Sequence, residues 1–347
     1  MKALNEIKNR FNGFSIEEYI VSKTESSYAE RLEWRKTIVK AFGLKELIFV
    51  EKEGCEILGI AQLFLNRSLI GGNHAVSCPL SSSGGGILFD SNNHLYFILD
   101  KIERYTKDKK LDYSLLRLKY PIDAKNWECV SNKYVTFIMD LDSDIEYVWS
   151  NVFRAKTRNQ VRKGQSYNFE ICHGHEYMEI FFEILHKGVK ELGSPTPGVK
   201  MFKEAINNFG NDIEFLILLD KGSPISGTVL FYHNDVVANP WAVTLKKYRS
   251  TCANTLLYWE IVKHACNRGI KKFDLGRSLI DSGNYHFKRR LGAKEKPLYY
   301  YYYLNKRKNI PVIDSSKGMQ KYFTIIWKRL PDIITKRIGH RVTKELI

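Results

Sequence analysis

The stretch Gly269–Lys288, G-I-K-K-F-D-L-G-R-S-L-I-D-S-G-N-Y-H-F-K, concentrates the residue types that could do chemistry. A short apolar strand ends at Asp274-Leu275-Gly276, a Gly-punctuated polar loop follows, and an aromatic-rich segment then carries Lys288. Strand ends that open into polar loops are where α/β folds place ligands. Asp274 could act as a base, anchor an amine or cap the loop. Arg277 could hold an anionic substrate or pair with Asp274. Upstream, Arg154, Arg158 and Arg162 recur at i, i+4 and i+8, with Lys156 and Lys163 beside them. On a helix such residues line one face at about 6 Å intervals. The guanidinium fork matches phosphate oxygens, so the stripe reads as a phosphate or RNA contact, or else as a solvated face.

These residues need elements to hold them. Two segments half a chain apart read alike: Val-Glu-Lys-Glu-Gly-Cys-Glu-Ile-Leu-Gly at 50–59 and Leu-Asp-Lys-Gly-Ser-Pro-Ile-Ser-Gly at 219–227. Each sits between apolar strands and spells a hairpin turn. An offset near 170 residues suits two copies of one α/β unit. The rest fits: helical spacing over 15–42, 92–108, 144–163, 176–191, 199–209 and Asn254–Arg268, and strand character over Tyr113–Leu118, 134–141, 236–244, Ile270–Leu275 and Leu298–Leu304. Five tyrosines, Tyr299–Tyr303, fall in the last of these and must alternate faces. The expectation is an α/β (α+β) chain of mixed sheets divided as 1–143, 144–310 and a helical tail, 311–347.

Composition narrows the partners. The chain has 347 residues, 44% apolar and 27% charged, which is globular composition. Its net charge is +16, and +12 of it lies in the last 62 residues. Such a field draws RNA, anionic head groups or phosphorylated intermediates. From Met319 the apolar positions Tyr322, Phe323, Ile326, Leu330, Ile333, Ile334, Ile338 and Val342 follow helical steps among basic residues, with Trp327 as an interfacial residue type and Pro331 as a break. That pattern reads as a surface-lying membrane helix over 317–347 or as a face packed on the protein's own core. No apolar run is long enough to span a bilayer, and the opening MKALNEIKNRF has no apolar signal core, so a cytoplasmic protein, peripheral on the inner membrane face, is expected. Six cysteines without a CxxC pair read as reduced thiols. His173 and His175 are explained by a surface turn, and no metal site is expected. There is no G-x-S-x-G elbow, HExxH or Walker A motif. The place before helix 254–268, where acyl-CoA transferases put a glycine-rich pyrophosphate loop, reads Lys247-Tyr248-Arg249-Ser250-Thr251-Cys252-Ala253-Asn254, without glycine.

The runs N-T-L-L-Y-W at 254–259, F-D-L-G-R-S at 273–278, G-N-Y-H-F-K at 283–288, Leu291-Gly292-Ala293 and Pro297-Leu298-x-Tyr resemble the FemAB-like acyltransferases of the GNAT superfamily, nearest to the FemAB-related proteins of exopolysaccharide and PEP-CTERM gene neighbourhoods. L-G-S-P-T-P at 192–197, K-T-R-N-Q-V-R-K at 156–163 and Arg67–Asp90 are similar to that branch too. The resemblance spans about residues 30–304. It implies two tandem GNAT-like domains, and a catalytic lysine of the F-K motif at Lys288 beside Phe287. The chain lacks the long coiled-coil insertion of the peptidoglycan enzymes and, around Leu192–Pro197, their arginine–tyrosine signature. The resemblance therefore leaves the acceptor and the donor open.

The reading that follows is an N-acyl- or aminoacyltransferase that forms an amide on a cell-envelope sugar, peptide or lipid-linked intermediate by direct amine attack. Lys288 and Asp274 are the expected catalytic residues. Arg277, Ser278, Tyr285, Phe287, Trp241, Tyr258 and Asn254 are expected to bind substrate. The donor is aminoacyl-tRNA or acyl-CoA, and no resident cofactor is expected. An acyl-CoA-dependent N-acetyltransferase of a polysaccharide pathway, and a non-catalytic RNA- or membrane-binding protein on a GNAT scaffold, are the competing readings.

Overall fold

The computed structural model describes residues 15–311 and 318–347. The opening MKALNEIKNRF lies outside them. The chain divides into two units. Unit 1 holds the residues up to Lys133, then Pro297–Pro311 and Glu345–Ile347, and unit 2 holds Tyr134–Lys296 and Val312–Lys344.

In unit 1 the helices α1 (Ile16–Ser22), α2 (Leu32–Phe42) and α3 (Asn92–Asp108) accompany strands β1 (Lys45–Glu53), β2 (Glu56–Ser68), β3 (Gly72–Ser77), β4 (Ile87–Phe89), β5 (Tyr113–Leu118) and β6 (Glu128–Val130). Ser15 and Glu18 form a reciprocal capping box on α1. The helical spacing read over 15–42 is thus two helices. The β1–β2 hairpin turns at Gly54, β3 follows antiparallel, and β5 joins β3 in parallel after α3 crosses over.

Unit 2 repeats this plan. Strands β7 (Tyr134–Asp140), β8 (Glu170–His173), β9 (Ile213–Asp220), β10 (Ser223–His233), β11 (Val236–Thr244), β12 (Lys272–Asp274), β13 (Ser278–Leu279) and β14 (Lys294–Pro297) build the second sheet. Its helices are α4 (Ala155–Gln165), α5 (Met178–Leu192), α6 (Val199–Phe209), α7 (Ala253–Asn267) and α8 (Gly283–Leu291). The β9–β10 hairpin turns at Lys221-Gly222, β11 follows antiparallel, and β12 joins β11 in parallel after α7 crosses over. Gly269, at φ +72°, stands just past the end of α7. Both sheets are mixed, and the pair of hairpins legible in the sequence marks the same two strands of each repeat.

Three boundaries differ from expectation. The first unit ends at Lys133 rather than 143, because β7 pairs with β12 and belongs to the second sheet. The tyrosine strand β15 (Tyr299–Leu304) returns to the first sheet, paired with β5 and β6, so 297–311 leaves the second domain. Its Tyr301 and Tyr303 enter the unit 1 core, as alternation requires. Finally, the helix expected over 144–163 is broken. A short turn and a π-turn, Val148–Val152, end at extended Phe153, and α4 starts at Ala155.

The tail is two helices, α9 (Gly318–Arg329) and α10 (Asp332–Glu345), divided at Pro331. It is part of unit 2 rather than a separate domain. Buried His186 on α5 bonds Thr196 Oγ1 at 3.1 Å and, through its other nitrogen, Thr335 Oγ1 of α10 at 3.0 Å. Thr343 Oγ1 donates to Thr196 O at 2.9 Å, and Lys336 pairs with Glu183 at 2.5 Å. Trp327, an interfacial residue type on a face read as either lipid-facing or packed on the core, is 1% exposed and belongs to the packed side.

Candidate acyl-transfer site

The parallel pair β11–β12 holds register only over Val236↔Lys272, Val237↔Phe273 and Ala238↔Asp274. Beyond Ala238, β11 runs on to Thr244, while the chain after Asp274 turns away through Leu275-Gly276 into β13. The sheet opens at that point, and the residues around the opening are those marked by the sequence.

Asp274 is buried at the end of β12. Its Oδ1 accepts from Thr136 Oγ1 at 2.6 Å and from the Gly276 amide at 2.9 Å. Of its three possible roles, the loop cap is therefore realised. Leu275 N donates to Phe137 O at 2.9 Å and fixes the next residue. The loop so held turns the carbonyls of Gly276 and Arg277 toward α8. That helix begins at Ser282, whose hydroxyl accepts from Tyr285 N at 3.2 Å, and ends at left-handed Gly292. A Cβ on Gly292 would lie 2.1 Å from Val152 O, so the backbone approach here demands glycine.

Lys288, in the last turn of α8, is buried and donates from Nζ to Gly276 O at 2.8 Å and to Arg277 O at 3.2 Å. Burial pushes its pKa down to about 8; the Asp274 charge opposes the shift and the Arg277 charge adds to it. Two of the three ammonium donors are thus spent on backbone carbonyls, and these two contacts leave one N–H over.

The other expected residues divide. Ser278 is buried at the start of β13 and its Oγ has no hydrogen-bond partner among the described residues. The exposed Arg277 guanidinium lies 4.9 Å from the centre of the Tyr134 ring. Phe287 packs edge-on to Tyr258 at 5.2 Å, and Tyr258, whose hydroxyl burial pushes up to about 12, belongs to the core. Tyr285 faces Phe137 and donates to Glu295 at 2.8 Å. Trp241 meets Phe202 edge-on, and Asn254 accepts from the Thr244 hydroxyl at 3.2 Å. Asp274 and Lys288 thus meet at the backbone of Gly276 and Arg277, and Ser278 follows directly in the chain; Tyr258 and Phe287 touch one another, Trp241 lies on β11, and Asn254 of α7 is bonded to Thr244 at its end.

Two residues at the opening were missed. Thr136 is a hydroxyl within the apolar strand Tyr134–Asp140, and Asn239 follows Ala238 on β11. Asn239 is buried beside Tyr258 with neither amide atom in a well-aligned hydrogen bond. A lone polar side chain inside a buried strand was the available signal for both.

The arginine stripe is not one surface. Arg158 turns back and donates through Nη1 to the carbonyls of Trp149, Ser150 and Phe153, capping the π-turn. Its Nη1 is thus engaged by carbonyls that the broken helix leaves open. Arg162 lies 5.5 Å from the Trp149 ring centre and remains exposed, as do Arg154 and Lys156. Before α7, residues 246–251 form a 3-10 turn ending at left-handed Cys252, with Lys246, Lys247 and Arg249 exposed.

Comparison with known proteins bears directly on this geometry. Residues 151–289, which include the opening, α7 and Lys288, match the family described as acetyltransferase (GNAT) domain. The second unit carries a GNAT acetyltransferase domain. The whole fold is FemAB-like: FemX superposes with a TM-score of 0.64 at 14% identity, over 84% of this chain and 95% of that one. A conserved protein of unknown function from Bacteroides thetaiotaomicron VPI-5482 gives 0.60 at 13% identity, over 84% and 95%. The L-PGS from Bacillus licheniformis gives 0.54 at 10%, over 86% and 98%. No curated protein matches the sequence. The GNAT domain makes this protein an acyltransferase.

The contrast between two arginines is testable. Arg158→Ala should lower the unfolding free energy by about 1.5–3 kcal/mol, the range for hydrogen bonds to a charged group. Arg162→Ala should change it by roughly 0.5–1 kcal/mol, as for an exposed cation–π contact. Equal effects in urea unfolding would contradict the assignment of Arg158 as a carbonyl clamp.

Proposed function

We propose that the protein transfers an acyl or aminoacyl group to an amine on a cell-envelope sugar, peptide or lipid-linked intermediate, with Lys288 as the catalytic residue. The observation that carries this reading is a buried lysine of pKa about 8 at the sheet opening of a GNAT domain. The acceptor amine, having lost its proton, attacks the donor carbonyl carbon. A C–N bond forms, the carbonyl electrons move onto oxygen, and the bond to the ribose oxygen or thiol breaks as those electrons return. The remaining N–H of Lys288 meets either the developing oxyanion or the leaving oxygen, where a fixed positive donor is worth most. A lysine that gives up its proton near pH 8 can pass it to the leaving oxygen or sulfur, while the attacking nitrogen, positively charged once the C–N bond forms, releases its surplus proton to solvent, from which Lys288 is reprotonated. Asp274 acts on Lys288 through the loop that it holds, as a positioning residue. The Gly276 and Arg277 carbonyls are already occupied by Lys288, so the substrate meets the ammonium rather than the backbone.

Charged tRNA is the favoured donor. The segment 246–252 has no glycine and is wound into a 3-10 turn, whereas a CoA pyrophosphate is usually held by the open amides of a glycine-rich loop at a helix N-terminus. Exposed Lys246, Lys247, Arg249, Arg154, Lys156 and Arg162 supply positive charge for a polyphosphate backbone.

The tail favours contact with anionic lipid at the inner membrane face. With Trp327 turned inward, Tyr322, Phe323, Ile325, Ile326, Ile333 and Ile334 remain exposed, Ile333 at 78%. Lys328, Arg329, Arg337 and Arg341 are exposed around them. No described helix is long and apolar enough to cross a membrane. Exposed apolar side chains ringed by cations fit insertion at head-group depth.

Two outcomes follow. Lys288→Ala should lower the rate of amide formation from charged tRNA by about 10²–10³ while the circular dichroism spectrum is unchanged; wild-type turnover would remove Lys288 from the mechanism. Ile326→Glu with Ile333→Glu should abolish sedimentation with phosphatidylglycerol vesicles and spare transfer to a soluble amino-sugar acceptor. Undiminished sedimentation would mean that the tail does not face lipid.

A further inference from the structure

A second constellation lies on unit 2, independent of the acyl-transfer reading. Glu214, at the start of β9, faces His173 on the neighbouring strand β8 and His264 on α7. His173 Nδ1 lies 3.6 Å from Oε1 of Glu214, and His264 Nε2 lies 2.7 Å from Oε2. One ligand atom from each residue falls within 4.8 Å of the other two. The imidazole rings stack with centroids 4.7 Å apart and planes 26° apart, so both present nitrogen to the same carboxylate. Both nitrogens are buried, and neither forms a well-aligned hydrogen bond among the described residues. Both nitrogens instead face the Glu214 carboxylate, which their positive charge or a cation in their place would neutralise. The neighbouring histidine explains nothing here, since His175 is engaged elsewhere, with its Nε2 2.8 Å from Ile213 O.

We propose that His173, Glu214 and His264 bind a zinc-class divalent metal, with the fourth position left to water. Two imidazole nitrogens and one carboxylate are a ligand set suited to Zn²⁺, which takes them at about 2.0–2.2 Å, so that tetrahedral neighbours lie roughly 3.3 Å apart. The spacings here bracket that value, and small side-chain rotations close the difference. All three side chains are partly open to solvent, which admits both the ion and its water. The carboxylate is already oriented from behind. Tyr232 donates to Oε2 at 3.1 Å and Arg268 Nη1 lies 3.5 Å from the same oxygen, with its guanidinium 3.9 Å from the Tyr232 ring centre. These contacts load Oε2 and leave Oε1 for the ion, in the manner of an outer shell that fixes a metal ligand. Arg268 also brings an opposing charge, so removing that charge should strengthen binding.

The probes are zinc and cobalt, added as their chlorides to chelator-treated full-length protein. Calorimetry should report one zinc equivalent, and the cobalt form should show visible d–d bands of a four-coordinate nitrogen and oxygen site. His264→Ala and His173→Ala should each weaken zinc at least tenfold, and Arg268→Gln should tighten it. Zinc bound equally well by the His173→Ala/His264→Ala double variant would overturn the proposal, since the free cysteines would then be the ligands. Absence of d–d bands in the wild-type protein would overturn it without recourse to any variant.

Discussion

The candidate site depends on the parting of two parallel strands. β11 and β12 run together for three residue pairs and separate after Ala238↔Asp274. A sheet that opens leaves backbone groups without strand partners, and buried groups of that kind must be satisfied in another way. Here the Asp274 carboxylate takes the Gly276 amide, and Lys288 takes the Gly276 and Arg277 carbonyls. The charged side chain that completes this accounting is the one proposed above to meet substrate. Burying an ammonium is costly, and two features offset the cost, the two carbonyl acceptors and the nearby Asp274 charge; what remains shows as a pKa lowered to about 8. The same features that make Lys288 tolerable in the fold suit it to the proton transfer proposed above.

The other basic residues show how little a charge pattern says about geometry. Arg158 and Arg162 occupy adjacent turns of one helix face, yet Arg158 caps a broken helix and Arg162 lies against an indole. In the tail, the amphipathic pattern is met by two surfaces. Trp327, Thr335, Gly339 and Thr343 are buried, with α10 held against unit 2 through His186 and Thr196, while Ile326 and Ile333 face outward. Helical periodicity identifies an apolar stripe, but which part of it docks depends on where small and hydrogen-bonding residues allow close approach.

Much of the fold was legible because it is local. The hairpins at Gly54 and Gly222, α3 and β5 follow from turn chemistry and short-range periodicity. The return of Tyr299–Leu304 to the first sheet was not, because strand partnership is a long-range property that composition does not encode. Likewise 144–163 has helical spacing throughout, and its break rests on a π-turn secured by a side chain from the following helix. At the site, Asp274, Arg277, Ser278 and Lys288 are close in sequence and were found together. Thr136 and Asn239 come from distant strands, and His173, Glu214 and His264 from three separate elements, so pairing alone reveals them.

Lys288 sits in a buried carbonyl cradle that displaces its proton equilibrium. Its ε-amine can be followed by NMR in protein labelled at lysine, with Lys288→Arg used to assign the signal. The expected titration midpoint is near pH 8 in the wild-type protein and lower in Asp274→Asn, where the supporting negative charge is gone. A midpoint at the ordinary lysine value of about 10.4, unmoved by Asp274→Asn, would contradict it.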